Sequence, residues 1–140
     1  MYKTFYKEYS GKPLIYLISP SKIDFKTFPG ILSKVLDTQM VNVFQLRLKN
    51  YNDLDLIKIT SLLYKICKKK NVTFILNDRI DIAKKINVDG VHIGKEDGNI
   101  KSARNILGNL KIIGSSCYNN KNLSIKSKNL GANYVAFGAF

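Results

Sequence analysis

Val72-Thr73-Phe74-Ile75-Leu76 runs directly into Asn77-Asp78-Arg79. The first five residues are apolar or β-branched on both faces of an extended chain, the mark of a strand covered on both sides. The last three are polar and fall at its carboxyl end, where α/β folds gather their chemistry. Five more short apolar runs share this character: Leu14–Ile18, Val43–Leu48, Gly90–Ile93, Ile112–Ser115 and Tyr134–Phe137. Between the second run and Val72, Ile59, Leu62, Leu63, Ile66 and Cys67 follow i, i+3, i+4, i+7, i+8 and lie on one helical face. Asn52 or Asp53 can cap that helix and Asn71 can end it. Ile80–Ile86, Ile100–Leu107 and Lys121–Leu130 read as shorter helices, with Gly108 and Gly131 where helix ends favour glycine. Six strands joined by five helices make an α/β chain with parallel strands and right-handed crossovers. The pattern alone leaves two architectures open, a doubly wound sheet and an incomplete barrel.

The bulk properties narrow the function. At 140 residues there is room for one core. Residues 13–140 form the predicted domain, and Met1–Lys12, rich in Tyr and Lys, is a leader. The formal net charge is +13, yet the lysines are spread over nearly every helix. The dense run Lys68-Lys69-Lys70 sits at a predicted helix end, where it complements the helix dipole. Aromatic residues do not interleave with it, so a nucleic-acid partner is not expected. A lysine-rich surface also favours anionic substrates. No apolar run approaches the ~18–20 residues of a membrane span, and the amino-terminal residues have no secretory h-region. A cytoplasmic protein is expected, with Cys67 and Cys117 as reduced thiols.

The strand ends carry the informative residues. In Phe44-Gln45-Leu46-Arg47-Leu48-Lys49 the alternation puts Gln45, Arg47 and Lys49 on one face and Phe44, Leu46 and Leu48 on the other. A buried arginine is costly unless it meets an anion, so this face points to an anion site in a barrel mouth; an edge strand with one wet face would look similar. Asp78 follows the third strand and Asp97 the fourth, in Asp89-Gly90-Val91-His92-Ile93-Gly94-Lys95-Glu96-Asp97. Carboxylates at neighbouring strand ends can jointly hold Mg2+, although each alone could cap a helix. His92 is the only histidine, and a lone histidine is more often a packed residue than a catalyst. The small residues Gly114-Ser115-Ser116 leave room for a bound group or make a tight turn.

Taken in order, FQLRLK, LNDR, DGVHIGKED, IIGSS and YVAFG resemble the successive strand-end motifs of the thiamine phosphate synthase family, from about Pro13 to Phe140. This resemblance, and not periodicity, selects a (β/α)8 TIM barrel, incomplete here at about six βα units. It implies a transferase of thiamine biosynthesis that moves the aminopyrimidine methyl group from its diphosphate to thiazole phosphate and releases diphosphate. By the same resemblance Gln45 contacts the aminopyrimidine, Arg47 and Lys49 hold the diphosphate, and Asn77 binds substrate. His92 lies near the pyrimidine, Ser116 near the diphosphate, and Asp78 and Asp97 ligate Mg2+. Catalysis would rest on Arg47, Lys49 and Ser116. Leu48, Lys95 and Ala139 depart from the family's usual residues, and Leu48 is expected on the helix-facing side.

The chain stops where the thiazole-phosphate loop and the closing strands would follow. A truncated chain is therefore expected, with open sheet edges that favour a homo-oligomer. Two other functions stand beside the synthase. One is a thiazole tautomerase-like enzyme, which has no diphosphate to chelate. The other is a non-catalytic partial barrel serving binding or assembly.

Overall fold

The structure, a computed structural model, describes residues 13–94 and 97–138, with the backbone alone for 97–99. The leader Met1–Lys12, Lys95 and Ala139 lie outside the described residues, as does the side chain of Asp97. Among the described residues strands and helices alternate: β1 (Ile15–Ile18), α1 (Phe28–Asp37), β2 (Val41–Leu46), α2 (Asp53–Lys69), β3 (Thr73–Asn77), α3 (Ile80–Ile86), β4 (Gly90–Ile93), α4 (Asp97–Leu107), β5 (Ile112–Tyr118), α5 (Lys121–Asn129) and β6 (Tyr134–Phe137). The six strands form one parallel sheet in the order β1-β2-β3-β4-β5-β6. A doubly wound sheet reverses its strand order at a switch point. Here the order never reverses, which excludes that architecture.

The caps follow local chemistry. Asn52 accepts the Asp55 amide at 2.9 Å and starts α2. Lys68 and Lys69 occupy its last turn, and Asn71 leaves it in the left-handed conformation with φ 56°. Gly108 and Gly131 do the same after α4 and α5, with φ 78° and 104°.

The four central strands, β2 to β5, bury their two faces against different neighbours. Phe44, Leu46, Phe74, Leu76, Val91, Ile93 and Ile113 pack outward on Leu32 and Leu36 of α1, on Leu56, Ile59, Leu63 and Cys67 of α2, and on the later helices. Leu48 joins this side, as its alternation requires. The opposite face holds Val43, Ile75 and Ile112 with the rings of Tyr16 and Tyr134. Among the described residues no helix side chain belongs to that inner cluster, so the helices cover one face only and the sheet curls around the other. In a flat sheet β1 and β6 would stand roughly 24 Å apart, from strand spacing of about 4.8 Å. Instead the Tyr16 and Tyr134 hydroxyls meet at 2.6 Å.

Gly114 permits that curl. It sits on the inner face opposite Tyr134 in the β5–β6 ladder, and a Cβ there would fall inside the Tyr134 ring. Gly30, in the first turns of α1, has open space where its Cβ would be. Opposite outcomes are expected for the same change. Gly114→Ala overpacks the interior and costs about 1–3 kcal/mol, whereas Gly30→Ala adds about 0.5–1 kcal/mol by removing a helical glycine. Urea unfolding with unchanged slope measures both, and shifts of the same sign at the two positions would contradict this account of the interior.

Candidate active site

One side chain from every strand contributes to a single polar layer on the inner face. Asn77 Nδ2 donates to Asp78 Oδ2 at 2.7 Å, and Gln45 Nε2 donates to Asn77 Oδ1 at 2.7 Å. The Tyr16 hydroxyl donates to Gln45 Oε1 at 2.9 Å and meets the Tyr134 hydroxyl at 2.6 Å. His92 places Nδ1 2.9 Å from that Tyr134 hydroxyl and Nε2 2.8 Å from Ser116 Oγ. Tyr16, Gln45, Asn77, His92, Ser116 and Tyr134 come from β1, β2, β3, β4, β5 and β6 respectively. The parallel register brings them together, with Asn77 beside His92 and His92 beside Gly114 in adjacent ladders.

This layer is partly buried and uncharged. Gln45 is 2 % exposed and His92 8 %. Burial pushes both tyrosine hydroxyls well above their ordinary range, so they stay protonated. Burial also holds the His92 imidazole below its ordinary pKa, which the Arg47 charge reinforces and Asp78 opposes. The neutral imidazole fits the site, because each ring nitrogen faces a hydroxyl that can donate or accept.

Charge is placed beyond the strand ends. After β2 the chain is held to the segment that follows β1, with Arg47 N donating to Ser19 Oγ at 2.9 Å and Lys49 N to the Ser21 carbonyl at 3.1 Å. The half-buried Arg47 and the exposed Lys49 make no ion pair with the described residues. Arg79, the other arginine at a strand end, is held by Asp53 and by both oxygens of Asp81 at 2.7–3.0 Å. Asp78 takes the left-handed backbone, φ 60°, and its Oδ1 accepts the Gly94 amide at 3.2 Å. It does not cap α3, whose N-cap is Arg79 with no side-chain cap bond. The helix-cap alternative for Asp78 is thereby removed. Asp97 is the first residue of α4, immediately downstream of β4.

The family profile described as thiamine monophosphate synthase matches residues 15–140. The chain belongs to the thiamine monophosphate synthase family. A curated relative, the thiamine-phosphate synthase of Pelagibacter ubique, is 46% identical over 130 residues, covering 93% of this chain and 62% of its own length. That of Rhodospirillum centenum is 39% identical over 126 residues, covering 90% and 61%. The solved thiamine phosphate pyrophosphorylase from Pyrococcus furiosus superimposes with a TM-score of 0.77 at 26% identity, over 90% of this chain and 60% of that one. The chain thus spans about three-fifths of the length of these relatives.

Within this family member, the sequence-derived residues divide into two tiers. Gln45, Asn77, His92 and Ser116 lie in the neutral layer, while Arg47, Lys49 and Asp78 stand beyond the strand ends. Ser115 and Cys117 point to the helix side instead, against Ser127 of α5. Both cysteines are free and buried, and burial pushes the Cys67 thiol up to about 12. Asp89, inside the third motif, is structural: its carboxylate accepts the Phe74 amide at 2.9 Å and the Tyr64 hydroxyl at 3.3 Å. Sequence reasoning missed Tyr16 and Tyr134. Their signal was a phenol placed in an otherwise apolar strand, whose hydroxyl must find a partner once buried.

A pH dependence follows from His92. Its pKa is lowered in the fold, so native His92 binds protons less readily than the unfolded side chain. Stability is complete above the unfolded value of about 6.5 and falls as pH drops below it. His92→Gln removes this part. Between about pH 7.5 and 5.5 the urea midpoint of the parent protein should fall further than that of the variant. Parallel falls would show that the imidazole is not held neutral.

Proposed function

We propose that this protein catalyses the thiamine phosphate synthase reaction: transfer of the aminopyrimidine methylene group from its diphosphate to thiazole phosphate, with release of diphosphate. The observation that carries this reading is Arg47. A half-buried guanidinium at a strand end, with no carboxylate partner among the described residues, calls for an anion. Lys49 shares its face and adds a second cation. Below them the neutral layer offers amide and hydroxyl groups suited to an uncharged heterocycle. In this reading Gln45, Asn77 and His92 face the pyrimidine, and Ser116 lies toward the diphosphate. The complete (β/α)8 barrel, the soluble cytoplasmic setting and the Mg2+ requirement belong to the same proposal.

Mg2+ fits the donors present. It is usually held by one or two carboxylates, with waters and substrate phosphates completing the shell. Asp78 is an exposed carboxylate whose two hydrogen bonds leave lone pairs available. Asp97, at the start of the next helix, would be the second ligand. A bound Mg2+ supplies charge neutralisation on the departing diphosphate.

The rest of the chemistry falls to the chain. The methylene carbon–oxygen bond breaks, and its electron pair leaves with the diphosphate. Arg47 and Lys49 stabilise that growing negative charge without needing to move a proton. The carbocation left behind is captured by the thiazole nitrogen lone pair. That nitrogen carries no proton, so a general base is not required and a neutral His92 is no handicap.

Calorimetric titration of the aminopyrimidine diphosphate into this chain tests the reading. Binding that is lost with EDTA is expected, and Arg47→Ala should weaken it about 10–100-fold, the value of one or two charged hydrogen bonds. Undiminished binding in EDTA, together with undiminished binding by a folded Arg47→Ala variant, would refute the assignment.

A further inference from the structure

The polar layer has an anchored end. The Asp78 carboxylate can only accept hydrogen bonds, so the Asn77 atom facing it must be Nδ2. The Asn77 oxygen then faces Gln45 and must receive Nε2. That turns Gln45 Oε1 toward Tyr16, whose single hydroxyl proton goes to it. With that proton committed, the 2.6 Å contact between the tyrosines is made by Tyr134 donating to Tyr16. Tyr134 has no second proton, so its oxygen must accept from His92 Nδ1–H. In a neutral imidazole Nε2 is then the acceptor, and Ser116 Oγ donates to it.

We propose that this layer is a one-way hydrogen-bond chain from Asp78 to Ser116, in which Tyr16 and Tyr134 are positioning residues that fix His92 as the Nδ1–H tautomer. The opposite direction is closed by the anchor. An Nε2–H imidazole would drive Tyr134 to donate to His92 and Tyr16 to donate to Tyr134. Gln45 would have to turn its nitrogen toward Tyr16, and the Asn77 oxygen would end up facing the Asp78 carboxylate. Two acceptors face to face leave a polar contact unmade.

The chain also orients Gln45. One Nε2–H and one Oε1 lone pair remain after Asn77 and Tyr16 are served, with the donor on the Asn77 side and the acceptor on the Tyr16 side. That pair complements a ring nitrogen beside an exocyclic amine. This use rests on the function proposed above, whereas the direction of the chain does not.

The protein has one histidine, so a long-range 1H–15N spectrum of the 15N-labelled full chain near neutral pH reads His92 alone. The expected result is a single tautomer with the proton on Nδ1. Tyr16→Phe frees the Tyr134 proton to turn toward His92 and should give a mixture of both tautomers. Ser116→Ala lies downstream and should leave Nδ1–H in place. A proton on Nε2 in the parent protein overturns the proposal, as does an unchanged Nδ1–H signal in folded Tyr16→Phe. Should Tyr16→Phe fail to fold, the parent and Ser116→Ala spectra still decide: loss of Nδ1–H on removing Ser116 would mean that the tautomer is set from the other end. These readings need no substrate, so they are independent of whether the synthase assignment holds.

Discussion

The contact between the Tyr16 and Tyr134 hydroxyls ties the first strand to the sixth, and the arrangement of the inner face depends on it. A hydrogen bond between hydroxyls is worth only about 1 kcal/mol net, so it does not drive the curl. The curl comes from helices that cover one face and from an inner face filled by Val43, Ile75 and Ile112. What the tyrosine pair adds is closure of the polar layer. Buried amides and an imidazole are costly when half satisfied. Each hydroxyl supplies both a donor and an acceptor, so two of them can carry the layer across the concavity from Gln45 to His92. Gly114 is the accompanying concession, since the Tyr134 ring occupies the volume of its missing side chain.

The two tiers of the site are held apart electrostatically. The inner tier is neutral because burial keeps both phenols protonated and disfavours a charged imidazole. The outer tier keeps its charges where water reaches them. Arg47 and Arg79 show how differently one side-chain type can be used. Arg79 is held by Asp53 and Asp81, which raise its pKa further and tie α2 to α3. Arg47 has no such partner among the described residues, and its charge remains available to a ligand. Its cationic field also disfavours protonation of His92 below, so the two tiers are coupled.

The frame of this fold was legible because its signals are local. Gly90–Ile93, Tyr134–Phe137 and Ile80–Ile86 have the bounds that apolar runs and periodicity indicate. Where bounds moved, pairing decided. β2 runs over Val41–Leu46 and not Val43–Leu48, because its ladder with β3 ends at Leu46 opposite Leu76. β5 extends to Tyr118 because a register shift lets it reach Phe137 of β6. α4 begins at Asp97, three residues ahead of its apolar periodicity at Ile100, since Asp-Gly-Asn offers no periodic signal. The choice between barrel and doubly wound sheet was not local at all. Strand order is a property of the assembled sheet, and only the ordered set of motifs carried it.

The candidate site was legible in proportion to how unusual each residue is for its place. Gln45 and Arg47 stood out because polar groups alternate with apolar ones along a single short run. Tyr16 and Tyr134 did not, because a tyrosine is at home in a strand core and its hydroxyl adds little to the pattern. Asp89 shows the converse error that motifs invite: it lies within a functional-looking run, yet its carboxylate serves the Phe74 amide and the Tyr64 phenol at the opposite end of β4. Sequence pattern identifies a residue as out of place. Which end of the strand it occupies, and whether its partner already lies within the fold, decide whether it holds the protein together or remains free for a ligand.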